Sequence, residues 1–126
     1  LIYYLYVALS QRPLVKNTKS TKKSIQRSLV LFDNGLKSQK TIDTYHGYLT
    51  EFKKFSWINS YDDLINVDKE ELQRMLEYFV IDQKNRGLSL SYISGKISAL
   101  KLFFAMNDIV ALNWIKLSPC YLKKRN

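Results

Sequence analysis

The fold class is decided by the run Ser38-Gln-Lys-Thr-Ile-Asp-Thr-Tyr-His-Gly-Tyr-Leu-Thr-Glu-Phe-Lys-Lys-Phe55. Its apolar residues recur at steps of three and four, which is the period of one face of an α-helix. Ser38 stands just before the pattern and is a residue type that favours a helix N-cap. The run therefore predicts an amphipathic helix over residues 39–55, with one face that other elements must cover. The apolar positions are Ile42, Tyr45, Leu49, Phe52 and Phe55.

On the N-terminal side, a shorter helical pattern covers residues 25–32. We expect it to end at Asp33-Asn34-Gly35, because glycine readily adopts the left-handed conformation that closes many helices. On the C-terminal side, a second long helix begins at Asp68, where an Asp-x-x-Glu signature indicates a cap, and ends at Gly87. A third long helix begins after a serine cap, Ser89 or Ser91, and ends near residues 107–108.

Two weaker elements complete this pattern. A half-turn is predicted at residues 61–64, and a short helix anchored by Trp114 is predicted over residues 111–117. With only 4 Gly and 2 Pro in 126 residues, the chain has few of the turn signals that a many-stranded β fold needs. The sequence predicts an all-α protein of four to five helices.

Charge is distributed unevenly along the chain, which carries 20 Lys and Arg against 11 Asp and Glu, a net charge of +9. Residues 1–40 hold eight basic groups and one acid, residues 41–86 hold six and nine, and residues 87–126 hold six and one. A surface polarised in this way favours a polyanionic partner: DNA, RNA or an anionic membrane.

Little in the sequence points to catalysis. One cysteine, Cys120, excludes an intramolecular disulfide, and with one histidine, His46, it excludes a Cys/His zinc site. There is no Gly-rich phosphate loop, and we expect no enzyme activity, cofactor or small-molecule substrate. His46 has no evident partner. We expect the acids of the second long helix to lie mostly on its solvated face; they are Glu70, Glu71, Glu77 and Asp82.

The first 24 residues predict an extension or arm. Residues 1–9 are apolar, but they number about half of the roughly 20 that cross a bilayer. Residues 10–24 are polar and basic and indicate a linker. We expect no membrane association and a reducing, cytoplasmic location, in keeping with the single cysteine.

Two helix openings combine hydroxyls, lysines and free backbone amides, which is a combination suited to phosphate. One is Lys37-Ser-Gln-Lys-Thr41, followed by Thr44. The other lies within Arg86-Gly-Leu-Ser-Leu-Ser-Tyr-Ile-Ser-Gly-Lys-Ile-Ser98, where Gly95 would let the backbone approach a ligand closely. The alternative interpretation is N-capping followed by an ordinary polar helix face.

These same segments resemble the core-binding domain of tyrosine recombinases of the phage-integrase type. The resemblance lies in Gly35-Leu-Lys-Ser-Gln-Lys-Thr-Ile-Asp-Thr-Tyr45 with Leu49-x-x-Phe52, and then in Gly87-Leu-Ser89, Tyr92-Ile93, Ile97-Ser-Ala-Leu100-Lys and Phe103-Phe104. It covers about residues 25–126. The sequence departs from the family at Tyr92, where threonine is usual, and at Ser94, where a basic residue is common.

The resemblance implies a SAM-like orthogonal bundle of four to five helices that forms one arm of a C-shaped clamp around double-stranded DNA, beside other recombinase protomers. It divides the chain into an arm (1–24), a core-binding domain (25–117) and a basic linker (118–126). The family's catalytic Arg, His-x-x-Arg and Tyr belong to a further domain, so this chain is expected to bind DNA without cleaving it. The implied DNA-binding residues are Ser38, Lys40, Thr41, Thr44, Ser91, Tyr92, Gly95, Lys96, Lys123, Lys124 and Arg125.

Two other hypotheses stay open. The chain is alternatively a helical protein-interaction module whose charge serves solubility, which a scattered set of lysines would favour. It is alternatively a small helix-turn-helix regulator, although the first long helix, with its own basic opening, argues against that. A self-contained hydrolase is the least favoured, for want of suitable residues.

Overall fold

The computed structural model describes residues 26–119, and these residues form helices, turns and connecting loops, with no strand among them. The protein is therefore an all-α bundle, as the periodicity predicted. Between residues 26 and 119 there are five helices, in chain order α1 (Arg27–Asn34), α2 (Gln39–Phe55), α3 (Tyr61–Ile65), α4 (Lys69–Asn85) and α5 (Leu90–Met106).

The three long helices begin at the predicted caps. The Ser38 hydroxyl accepts a hydrogen bond from the amide of Thr41 at 3.3 Å, and the Ser89 hydroxyl accepts one from Tyr92 at 3.1 Å. Ser89, and not Ser91, is thus the cap of α5. The Asp68 carboxylate accepts from the first free amides of α4. Each bond satisfies a donor that has no partner within its helix.

The helix ends differ from one another. Gly87 closes α4 in the left-handed region at φ +79°, and Leu88 N donates back to Gln83 O at 3.3 Å. Gly35 follows α1 at φ −87°, so the expectation of a left-handed turn there is wrong. The chain leaves α1 through tight turns instead, with Gly35 N donating to Phe32 O at 2.9 Å, and such turns need no positive φ.

The short helix predicted over residues 111–117 is absent, and only a turn over residues 114–117 is found there. The reason is a tertiary contact at Asn113: its amide donates to Gln73 Oε1 at 2.9 Å, and its carbonyl accepts from Gln73 Nε2 at 3.3 Å. A backbone held by a side chain of α4 in this way is not free to join a helical ladder. A short helix does form at α3, where the sequence predicted only a half-turn.

The core is centred on α5, which packs against α1, α2 and α4. Phe103 meets three aromatic rings edge-on, those of Phe32 at 5.7 Å, Phe104 at 5.3 Å and Tyr61 at 6.0 Å between centroids. Phe79 of α4 packs edge-on against the rings of Phe52 and Phe55 of α2. Edge-to-face pairs of this kind add to the free energy of apolar burial and fix the relative placement of the helices. Within residues 26–119, no helix is long and apolar enough to cross a membrane.

Candidate nucleic-acid interface

The start of α2 is open to solvent. Ser38, Lys40 and Thr44 are exposed, and Thr41 is half-buried. The first turn carries no acidic residue, so nothing on it neutralises the partial positive charge of the helix N-terminus. Four of the predicted DNA-contacting residues are thus accessible at one helix start.

The start of α5 is open in the same way. Ser91 and Tyr92 are exposed, Gly95 is half-buried, and the first turn again lacks an acid. Further along α5, exposed residues continue at steps of three and four from Ser91, which places them on one face of the helix. They are Ser94, Ser98 and Lys101.

The two helices meet through tyrosines. The Tyr48 ring of α2 lies 6.0 Å from the Tyr92 ring of α5 in an edge-on arrangement. A methyl group at Gly95 would lie 3.9 Å from Cε2 of Tyr48. Because Thr44 precedes Tyr48 by one turn, it shares that side of α2. We call these five residues, Thr44, Tyr48, Ser91, Tyr92 and Gly95, the α2–α5 surface.

The first turn of α2 does not itself touch α5 in this contact. Ser38 is ten residues before Tyr48, which at 1.5 Å per residue places the cap roughly 15 Å away along the helix axis. The structure therefore brings the opening of α5 beside the middle of α2. The loop before the α2 cap lies at the other end of α5, where a methyl group at Gly35 would be 3.2 Å from Met106 Sδ.

Lys96 departs from its predicted role. Its side chain is 2% exposed, and its Nζ lies 2.8 Å from Glu51 Oε1 and 2.6 Å from Gln83 Oε1. The prediction that Lys96 contacts phosphate is wrong for this arrangement, because the ammonium is enclosed and already partnered. A signal for this was present in the sequence: Lys96 follows Ile93 by three residues and precedes Leu100 by four, and so falls within the apolar stripe of α5.

The Glu51 carboxylate is part of the same cluster. It lies one turn after Tyr48, its side chain is 32% exposed, and it is also 3.7 Å from Arg86 Nη1. Arg86 is shared with Asp82, whose Oδ2 is 3.4 Å from the same nitrogen. Lys96 is therefore the closer of the two cations to Glu51.

The other capped helices have acidic openings. Asp62 and Asp63 lie in the first turn of α3, and Glu70 and Glu71 lie in that of α4. These carboxylates match the helix dipole and would repel an anion. In the described part of the chain, the N-cap side chains of four helices accept a backbone amide, and of these four only α2 and α5 have no carboxylate in the first turn.

The excess of positive charge lies mostly outside the described residues. Residues 26–119 hold twelve Lys and Arg against eleven Asp and Glu, whereas residues 1–25 and 120–126 hold eight basic groups and no acid. The predicted contacts Lys123, Lys124 and Arg125 lie outside the described residues. The described bundle is close to neutral, so its interface depends on local charge placement.

Several side chains behave differently from the sequence expectation. His46 has a partner after all, since its Nε2 lies 2.6 Å from Asp33 Oδ1. Three acids of α4 are only partly exposed and ion-paired: Glu71 with Arg74 at 2.8 Å, Glu77 with Lys116 at 3.2 Å, and Asp82 with Arg86 at 3.4 Å. Across residues 26–119, no group of three or more His, Cys, Asp or Glu is placed to hold a metal ion.

No family model, curated protein or solved structure matches this chain. The resemblance to the recombinase core-binding domain therefore rests on the motifs quoted above and stays a prediction.

Proposed function

We propose that this protein binds double-stranded DNA through the α2–α5 surface and the opening of α2, as the core-binding arm of a site-specific tyrosine recombinase. The observation that carries the proposal is that two exposed, serine-capped helix starts lack acids, and that one of them, the start of α5, lies beside the middle of the other helix, α2. Free amides and hydroxyls at such starts are suited to phosphate oxygens, and the helix dipole adds to the attraction.

The proposal assigns different roles to the bundle and its flanks. Because residues 26–119 are nearly neutral, the bundle supplies position, whereas the basic flanks, including Lys123, Lys124 and Arg125, supply most of the counterion release. DNA integration and recombination would then require catalytic groups from elsewhere, and the protein would act on DNA in the cytoplasm beside other protomers.

The first test is a fluorescence-anisotropy titration of the full chain with a labelled duplex at several salt concentrations. With about five phosphates neutralised, log K should fall against log salt with a slope near −4.5. No measurable binding at low salt would refute the proposal.

The second test uses Ser91→Glu. A carboxylate in the first turn of α5 complements the helix dipole, so the variant should unfold at a free energy equal to or above that of wild type. The same carboxylate faces the proposed phosphate surface, and affinity for duplex should fall by about tenfold, the effect of a close like charge. The matched control is Asn59→Glu, which adds the same charge at an exposed loop residue. Equal affinities for the two variants would contradict this interface.

A protein-interaction module is the second candidate, and one observation favours it. Val110 and Ile115 are 75% and 77% exposed on either side of the Asn113 contact. A contiguous exposed apolar patch marks a protein interface, and under this candidate function these two side chains would belong to such a patch. A Val110→Ser, Ile115→Ser double variant that abolishes self-association, seen by sedimentation, while duplex binding stays undetectable in wild type would favour this candidate.

A further inference from the structure

The buried ammonium of Lys96 joins three helices. It lies between Glu51 of α2 and Gln83 of α4, and it sits 4.3 Å from the ring centroid of Tyr92 on its own helix. Glu51 Oε2 is a second carboxylate contact at 3.1 Å. Two oxygen-bearing side chains and one aromatic face thus surround the cation, and a cation enclosed in this way acts on other molecules only through its partners.

Two of those partners reach the surface. Tyr92 is 44% exposed and belongs to the α2–α5 surface, and the Glu51 carboxylate is about one-third exposed beside it. A bare carboxylate at this place would repel the phosphates that the surface is proposed to meet. The buried ammonium of Lys96 neutralises the negative charge of Glu51.

We propose that Lys96 is a positioning residue for DNA binding: it neutralises Glu51 next to the α2–α5 surface without touching DNA. The inference rests on the proposed function, and it explains why the α2–α5 surface does not present the negative charge of Glu51 to DNA. Arg86 does not replace Lys96, because it is farther from Glu51, at 3.7 Å, and is shared with Asp82.

The test compares Lys96→Met, Glu51→Gln and the double variant, with duplex affinity measured at a temperature where circular dichroism shows each protein folded. Lys96→Met leaves Glu51 with less compensation, and affinity should fall about fivefold at low salt, as expected for one added charge within a Debye length of several phosphates. The double variant removes that charge and should return to within about twofold of wild type by the same reasoning.

Glu51→Gln separates charge from folding. It leaves a buried ammonium without its carboxylate, so the protein should be less stable, yet it should bind duplex at least as tightly as wild type. A purely structural role for the cluster predicts the opposite, a loss of affinity in every variant that loses stability.

The matched control is Lys116→Met, which exposes the charge of Glu77 on α4 beside residues 113–116 and away from the α2–α5 surface. It should bind like wild type. If wild type binds and Lys96→Met binds equally well, or if the double variant stays as weak as Lys96→Met, the inference is wrong while the proposed function stands. If wild type does not bind duplex, the proposed function fails and the inference falls with it.

Discussion

Replacing Lys96 by Met should also measure how much the buried cluster contributes to the stability of the fold. Met is unbranched like lysine and one atom shorter, with no charge and no donor, so the change removes the ammonium and little other volume. Gln83 is fully buried, and its Oε1 would lose the donor that now lies 2.6 Å away. An unsatisfied buried acceptor costs about 1–3 kcal/mol.

Glu51 adds a smaller cost. Removing one member of a fully buried ion pair costs about 3–5 kcal/mol, but Glu51 is partly exposed, keeps Arg86 at 3.7 Å and regains water. The variant also has no buried ammonium to desolvate, and this raises its free energy of unfolding and offsets part of the loss. We therefore expect Lys96→Met to lower the free energy of unfolding by about 2–3 kcal/mol, below the fully buried limit.

Urea denaturation followed by far-ultraviolet circular dichroism measures this change. With an m value of about 1–3 kcal/mol/M, the midpoint should move down by roughly 1 M or more at an unchanged slope. The double variant Lys96→Met, Gln83→Leu removes the orphaned acceptor as well and should recover part of the loss. A Lys96→Met midpoint within about 0.2 M of wild type would refute the burial argument, since it would mean that the ammonium has no net interaction to lose.

Three further predictions concern single positions. Gly87→Ala should lower the free energy of unfolding by about 1–2 kcal/mol in the same denaturation assay, because φ is +79° there while nothing within 4 Å opposes the added methyl. Gly47→Ala is the contrasting case, since it lies within α2 with open space around it; it should raise that free energy by about 0.5–1 kcal/mol, and a loss would contradict the helical assignment. Burial, and secondarily the charge of Lys54, lowers the pKa of Lys53. The folded state therefore holds this proton less tightly than the unfolded state, so the stability of wild type relative to Lys53→Met should rise with pH through the alkaline range below the usual lysine pKa; a difference that stays constant with pH would contradict it.

Local signals in the sequence determined most of the helical framework. The stripe from Ile42 to Phe55 predicted α2 over about residues 39–55, as observed, and Ser38, Asp68 and Gly87 marked ends that the structure confirms. These features depend on backbone geometry and on side chains within four residues of one another. Such short-range interactions can be recognised without knowing what the helix packs against.

Packing decided what local patterns left open. The segment around Asn113 has helical composition, but its backbone is hydrogen-bonded by Gln73, forty residues earlier in the chain, and it forms no helix. Lys96 faced inward because Glu51, forty-five residues away, supplies the charge that makes a buried ammonium tolerable. The partner of His46 is likewise set by packing: Asp33 of α1 lies within hydrogen-bond distance of it, across the turn that joins α1 to α2.

The sequence by itself therefore determined most of the helical residues and where most helices start and stop, together with the overall positive charge. Only the tertiary structure decided which of the polar residues on those helices remain available to a ligand. The physical reason is that helix formation depends on neighbours along the chain, whereas the fate of a charge depends on the desolvation and partners that distant segments bring to it.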